Sequence, residues 1–395
     1  MSIKDIASSK LPEMVTNRRH MHMHPEVSFK EKETYQFILG KLEQHPELNI
    51  RENVGVNDEN EGAGIVASIG SGSPHIAVRA DFDALPIQDQ KDVPYKSQNP
   101  GAMHACGHDG HTSTLLALVD TVVANKDNLS GTVSFIFQYG EEVQPGGAKS
   151  MVDDNVLDGI DKVYGQHYWS QFETHEVQTK PGAMIASPDG FYITLQGSGG
   201  HAAYPDLTVD PIVVAAELIT NLQTAVSRQI SPIDNAVVTV GSVNGGDAFN
   251  VIPDTVRITG TVRTFKQEVK EKIYEIFKNE VEYTTKKRGA TADMKYNFGY
   301  PAVINHETEA QIIEDAAKEL GLPFKEADPL MIGEDFSYYI LDKPGAFFYT
   351  GTGNEDKKTT PAHHTDMFDI DEDAMETALM MFMKILEKES VIKWT

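Results

Sequence analysis

Short β-type runs alternate with helical segments through the first 180 residues, break off at Lys180-Pro181-Gly182 and resume near Asn297. Such a pattern folds as a sheet covered by helices, because strands buried on both faces read as short apolar runs. Strands are expected over residues 64–69, 75–80, 132–138 and 162–167. A buried helix is expected over 111–124, where Leu115, Leu116, Leu118, Val119, Val122 and Val123 recur at helical spacing. Residues 13–42 read as mostly helical and polar enough for the surface. The interrupting stretch reads as strand (191–196), helix (209–228), two strands (236–243 and 256–263) and helix (267–287). After it come a helix over 306–320, an apolar run over 346–349 and a closing amphipathic helix over 371–388. The expected fold is therefore α/β: a discontinuous main domain, 1–183 and 297–395, with a mixed sheet between helices, interrupted by a smaller α+β domain over 184–296.

Composition narrows the function. The 395 residues include 34 Lys+Arg against 59 Asp+Glu, a formal net charge of −25, and no basic run offsets it. Such a chain repels phosphate backbones and anionic lipid, so no nucleic acid and no membrane is expected as a partner. One cysteine, Cys106, cannot form an internal disulfide. The N-terminus lacks an apolar signal core, and no run approaches the roughly 20 apolar residues that span a bilayer. A reducing cytoplasm is the expected location.

The chemistry is densest in Met103-His104-Ala105-Cys106-Gly107-His108-Asp109-Gly110-His111. A thiolate and an imidazole two residues apart, separated by a glycine, can close on one divalent cation. Alone, the motif fits a buried cysteine beside surface histidines equally well. Glu141 and Glu142 follow an expected strand, at the carboxyl end where open α/β sheets bind ligands. Neighbours in extended chain point opposite ways, so one carboxylate can ligate while the other handles protons. His167 ends another expected strand, and His363-His364 lies in the loop before the closing helix. Thiolate, imidazole and carboxylate ligands together suit zinc, manganese, cobalt or nickel, and five are enough for two ions. Asp81 and Asp83 follow a strand and could orient a ligand imidazole or cap a turn. His20, His22 and His24, spaced two apart on an expected helix, do not face one another and make no three-histidine site.

Motifs along nearly the whole chain resemble the metal-dependent aminoacylase and amidohydrolase branch of the zinc-peptidase clan. They are Arg18-Arg-His-Met-His-Met-His-Pro-Glu26, Arg79-Ala-Asp-Phe-Asp-Ala-Leu-Pro86, His104-Ala-Cys-Gly-His-Asp-Gly-His111, Glu141-Glu142, Gly199-Gly-His-Ala-Ala203, Phe249-Asn-Val-Ile-Pro253, Gly333-Glu-Asp-Phe-Ser-Tyr-Tyr339 and His364-x-x-x-Phe368. The resemblance implies Cys106, His108, Glu142, His167 and His364 as ligands of two divalent ions per subunit, with the thiolate shared, and Glu141 as general base. It implies that His201 and Asn250 hold the substrate and its developing oxyanion. It also implies that the inserted domain acts as a lid and forms a homodimer. Gly333 and Phe82 stand where the family often has serine and an aliphatic residue. His364 is preferred to His363 because Phe368 follows it by four. The implied reaction is hydrolysis of N-acyl, foremost N-acetyl, amino acids. A dipeptidase or carboxypeptidase of the same clan is the nearest alternative, and a silent metal-binding protein a remote one.

Overall fold

The structure, a computed structural model, describes residues 2–56 and 62–394. The chain divides into two compact units. The first comprises Met1–Met184, Ile304–Asp328 and Asp335–Thr395, and the second Ile185–Val303 and Pro329–Glu334.

The first unit is built on an eight-stranded sheet. In spatial order its strands are Asn49–Val54, Gly64–Gly70, Thr132–Gln138, His75–Asp81, Lys162–Glu173, Gly345–Gly353, Val177–Thr179 and Phe324–Glu326. The four at its centre, from Thr132–Gln138 to Gly345–Gly353, run parallel, whereas Gly64–Gly70 pairs antiparallel with both its neighbours. Parallel strands are buried on both faces, and Phe135, Ile136 and Phe137 have no exposed surface. Phe135→Ala should therefore cost about 3–5 kcal/mol of stability, measured by denaturant titration, because the cavity lies where neighbouring strands cannot collapse into it.

Helices Ile3–Met23, His108–Ala124 and Ala374–Lys388 pack against one another and against this sheet. The surface position expected for the N-terminal segment is overturned. Its first helix starts at Ile3, a second follows at Lys32–Leu42, and Arg18 and His22 on the first are fully buried. Charge patterning misleads here because these polar side chains find buried partners of opposite charge, described below. Among the described residues no helix is long and apolar enough to cross a membrane.

The second unit is a four-stranded antiparallel sheet, ordered Ala236–Asn244, Thr255–Thr264, Ser187–Gln196, Thr291–Asn297. Inward residues alternate along its strands, and Phe191, Leu195 and Ile258 pack with Leu218 of helix Pro211–Thr224 and Phe277 of helix Gln267–Arg288. Asp210 caps the first of these helices, accepting the Ile212 N–H at 2.8 Å. Where the sequence reading closes the insertion at 296, the chain stays with this unit through Val303 and returns to it at Pro329–Glu334. The edge strand Thr291–Asn297, which follows a helix C-terminal glycine, carries the chain one residue past the expected boundary.

Candidate metal centre

Two backbone devices present the site. After strand Thr132–Gln138 the chain turns at Gly140, whose φ is +64° and where a Cβ would lie 2.7 Å from the Phe29 ring. A side chain is excluded on both counts, and the turn delivers Glu141 and Glu142 beyond the strand end. Gly107, at φ +94°, occupies the cap of helix His108–Ala124. The helix thus begins three residues before the expected start, and His108 stands on its first turn rather than in the preceding loop. His167 likewise lies inside a strand and not at its end, since that strand continues to Glu173. The adjacent strand, His75–Asp81, pairs with it only as far as Gly165, so His167 sits just past that neighbour's last rung. His364 adopts φ +62° and donates its N–H to the Ala105 carbonyl at 2.9 Å, which docks the late loop beside Cys106.

Donor atoms converge in two overlapping trios that share Cys106. One is Cys106, His108 and His167, the other Cys106, Glu142 and His364, and within each the ligand atoms lie within 4.8 Å of one another. Cys106 Sγ is 3.3 Å from His167 Nε2, and Glu142 Oε1 is 3.3 Å from His364 Nε2 and 3.9 Å from His108 Nε2. Among the described residues the buried His108 Nε2 and Glu142 Oε1 have no hydrogen-bond partner, only the looser ion-pair distances to neighbouring groups. Leaving such atoms unpaired costs about 1–3 kcal/mol each, more for a charge, and a cation between them removes that cost. Electrostatics agree. Burial opposes a charge on His108, yet Asp81, Asp83 and Glu142 raise its pKa to about 10, so the surroundings strongly favour positive charge at that point. Burial pushes the Cys106 thiol up, with Glu142 and Glu141 adding to it, and a nearby dication is what holds such a thiol as thiolate. The donors therefore fit divalent metal.

The rings of His108 and His167 are held from behind. His167 Nδ1 is 2.6 Å from the Tyr168 carbonyl, which fixes its proton there and leaves Nε2 free to ligate. For His108 that service comes from Asp83, whose Oδ1 is 3.0 Å from Nδ1. Its Oδ2 accepts the Ser28 hydroxyl at 2.7 Å and the Glu142 N–H at 3.0 Å. Asp83 thus holds the His108 ring and the Glu142 backbone at once. Asp81 instead takes His111 Nδ1 at 2.6 Å and the Arg79 guanidinium at 2.6 Å, and lies 3.7 Å from His108 Nε2. His111 Nε2 accepts the Tyr168 N–H at 3.0 Å, so both nitrogens of that ring are occupied. Arg79 also meets Asp335 at 2.7 Å. The alternation Arg79, Asp81, Asp83 was the available sign that these three lie on one side of an extended segment.

Of the two late histidines, His364 points its Nε2 at Glu142, whereas His363 Nε2 accepts the Ser170 N–H at 3.2 Å and its ring stacks on Trp169 at 4.4 Å. His364→Ala should weaken metal binding by more than roughly tenfold, and His363→Ala by much less, in equilibrium dialysis against zinc. Glu141 is buried and joins His108 and Glu142 in a third grouping that does not include the thiol. In the second unit His201 is exposed on the short strand Gly200–His201, paired with Val251–Ile252, and its Nδ1 accepts the Ala203 N–H at 3.1 Å. The Asn250 carbonyl accepts the Ala202 N–H at 3.1 Å, and Asn250 too is exposed.

A mixed sheet that gathers a thiol, imidazoles and carboxylates around space for cations, with a further glutamate beside them, belongs to a metal-dependent hydrolase. The chain is a member of peptidase family M20/M25/M40, whose model matches residues 77–388. It is 39% identical to the N-acetyl-L-cysteine deacetylase of Bacillus subtilis over 92% of this chain and 85% of that protein. It is 33% identical to thermostable carboxypeptidase 2 of Saccharolobus solfataricus over 91% of each chain. The crystal structure of the Bacillus subtilis YXEP protein, described as a dinuclear metal binding peptidase of the M20 family, aligns with a TM-score of 0.82. Its identity is 32%, over 98% of this chain and 100% of that one.

Proposed function

We propose that this enzyme hydrolyses the amide bond of N-acyl amino acids, N-acetyl compounds foremost, to a carboxylate and a free amino acid. The observation that carries this reading is the division of labour between adjacent glutamates: Glu142 belongs to a trio with Cys106, and Glu141 does not. The similarity to an N-acetyl-L-cysteine deacetylase supports the acyl amino acid as substrate. The ligands are Cys106, His108, Glu142, His167 and His364, for two ions of zinc, manganese, cobalt or nickel. Bound there, such ions acidify water toward neutral pH and polarise a carbonyl. Glu141 accepts the proton of the attacking water and returns it to the leaving nitrogen as the C–N bond breaks. Asp83 keeps the His108 tautomer fixed throughout. A cytoplasmic setting suits an unoxidised Cys106.

Carboxypeptidase activity is the second reading, favoured by the Saccharolobus relative. A panel of N-acetyl, N-benzoyl and dipeptide substrates, assayed after loading with each of the four metals, separates the two. Cleavage of dipeptides alone would overturn the deacylase reading.

His201 and Asn250 complete the reading as groups that hold the substrate and its oxyanion, with His201 supplied by the second subunit of a homodimer formed through the inserted unit. Mixing inactive His201→Ala and Glu141→Gln chains should then restore activity, because a heterodimer contains one intact site. Heterodimers that form and stay inactive would show that His201 serves its own chain.

A further inference from the structure

The Arg18–His22 segment has no part in the chemistry above, yet it is among the most buried charged regions of the protein. Arg18, His22, Asp89 and Asp109 have essentially no exposed side-chain surface, and Lys91 is 4% exposed. Two chains of contacts leave Asp109, the residue after ligand His108. In one, Asp109 accepts Arg18 Nε at 2.9 Å, and the same guanidinium donates to Asp369 at 2.6 Å. In the other, His22 Nδ1 meets Asp109 at 2.7 Å, and Lys91 Nζ stands 3.0 Å from His22 Nε2 and donates to the Phe368 carbonyl at 2.8 Å. Both end a few residues after ligand His364. Tyr95 steadies the far end by donating to Asp369 at 2.8 Å, and Asp89 accepts from the Lys91 N–H at 2.9 Å.

We infer that Arg18, His22 and Lys91 are positioning residues that set the distance between the two halves of the ligand set, Cys106–His108 on the ligand helix and His364 on the late loop. The inference rests on the ligand assignment proposed above. The two routes leave one carboxylate oxygen of Asp109 and reach adjacent residues, Asp369 and the Phe368 carbonyl, so the late loop is tied at two points where a single ion pair would tie it at one. Their burial makes each link directional, because removing one partner strands a buried charge and shifts the other. The trio of Cys106, Glu142 and His364 spans that gap, whereas Cys106, His108 and His167 does not involve the late loop.

The test is a cobalt(II) titration of the metal-stripped full-length protein, followed by absorbance, with melting temperature recorded beside it. For Lys91→Met the affinity of the ion that uses His364 should fall at least tenfold relative to the other, whereas a merely structural defect would lower stability and leave that ratio unchanged. Lys91→Arg, which keeps a cationic donor, should recover most of the ratio. A folded Lys91→Met protein with an unaltered ratio overturns the inference. So does failure of both Lys91→Met and the milder Lys91→Gln to fold, since the role is then structural alone. A wild-type protein that binds no cobalt would instead refute the ligand assignment itself.

Discussion

Glu141→Gln should leave bound metal unchanged and cut turnover on an N-acetyl amino acid by about 10³-fold or more. A positioned acid or base typically contributes about 10²–10⁴, and in the proposed mechanism one carboxylate serves both water attack and amine departure. A thousandfold loss corresponds to about 4 kcal/mol of transition-state stabilisation. Glutamine preserves volume and one carbonyl oxygen but accepts no proton, so geometry is nearly retained while proton transfer is lost. Metal content, read by atomic emission, is the control: Glu141 stands outside both trios that contain Cys106. Loss of metal in this variant, with Glu142→Gln retaining it, would exchange the roles of the two residues.

Dialysis against a strong chelator should abolish activity, and zinc, manganese, cobalt or nickel should restore it, each to a different level. The effect is complete because the remaining groups cannot acidify water or polarise the amide unaided. Far-UV circular dichroism should change little on stripping. The rings proposed to ligate are anchored by contacts that need no ion, His108 through Asp83 and His167 through the Tyr168 carbonyl. Activity that survives chelation in a preparation shown to be metal-free would refute the metal-dependent mechanism.

Much of this was legible in the chain. The central strand Thr132–Gln138 matches its expected bounds because its β-branched and aromatic residues form a short run buried on both faces and a turn follows at once. What escaped the sequence has physical reasons. Strand Lys162–Glu173 runs past His167 through residues of mixed polarity, and its pairing with Gly345–Gly353, far along the chain, sustains it where local pattern does not. The helix cap at Gly107 was hidden because glycine there serves left-handed backbone, not side-chain capping. Arg18 and His22 looked like surface residues because their partners, Asp109, Asp369 and Lys91, lie far away in sequence. Asp83 was visible as a candidate, but only coordinates distinguish its contact with His108 from the contact of Asp81 with His111.

The order in which the chain is synthesised gives the split first unit a further consequence. Strand Lys162–Glu173 leaves the ribosome long before Gly345–Gly353, its parallel neighbour, and at about 5–20 residues per second the gap lasts roughly 10–35 s. Throughout that interval the nascent sheet carries an open apolar edge, the kind of surface that recruits chaperones or aggregates. The second unit is mostly one continuous stretch made within the gap, and it can fold while the first waits. His364 emerges later still, so until then the chain carries the trio Cys106, His108 and His167 but lacks the one that uses His364.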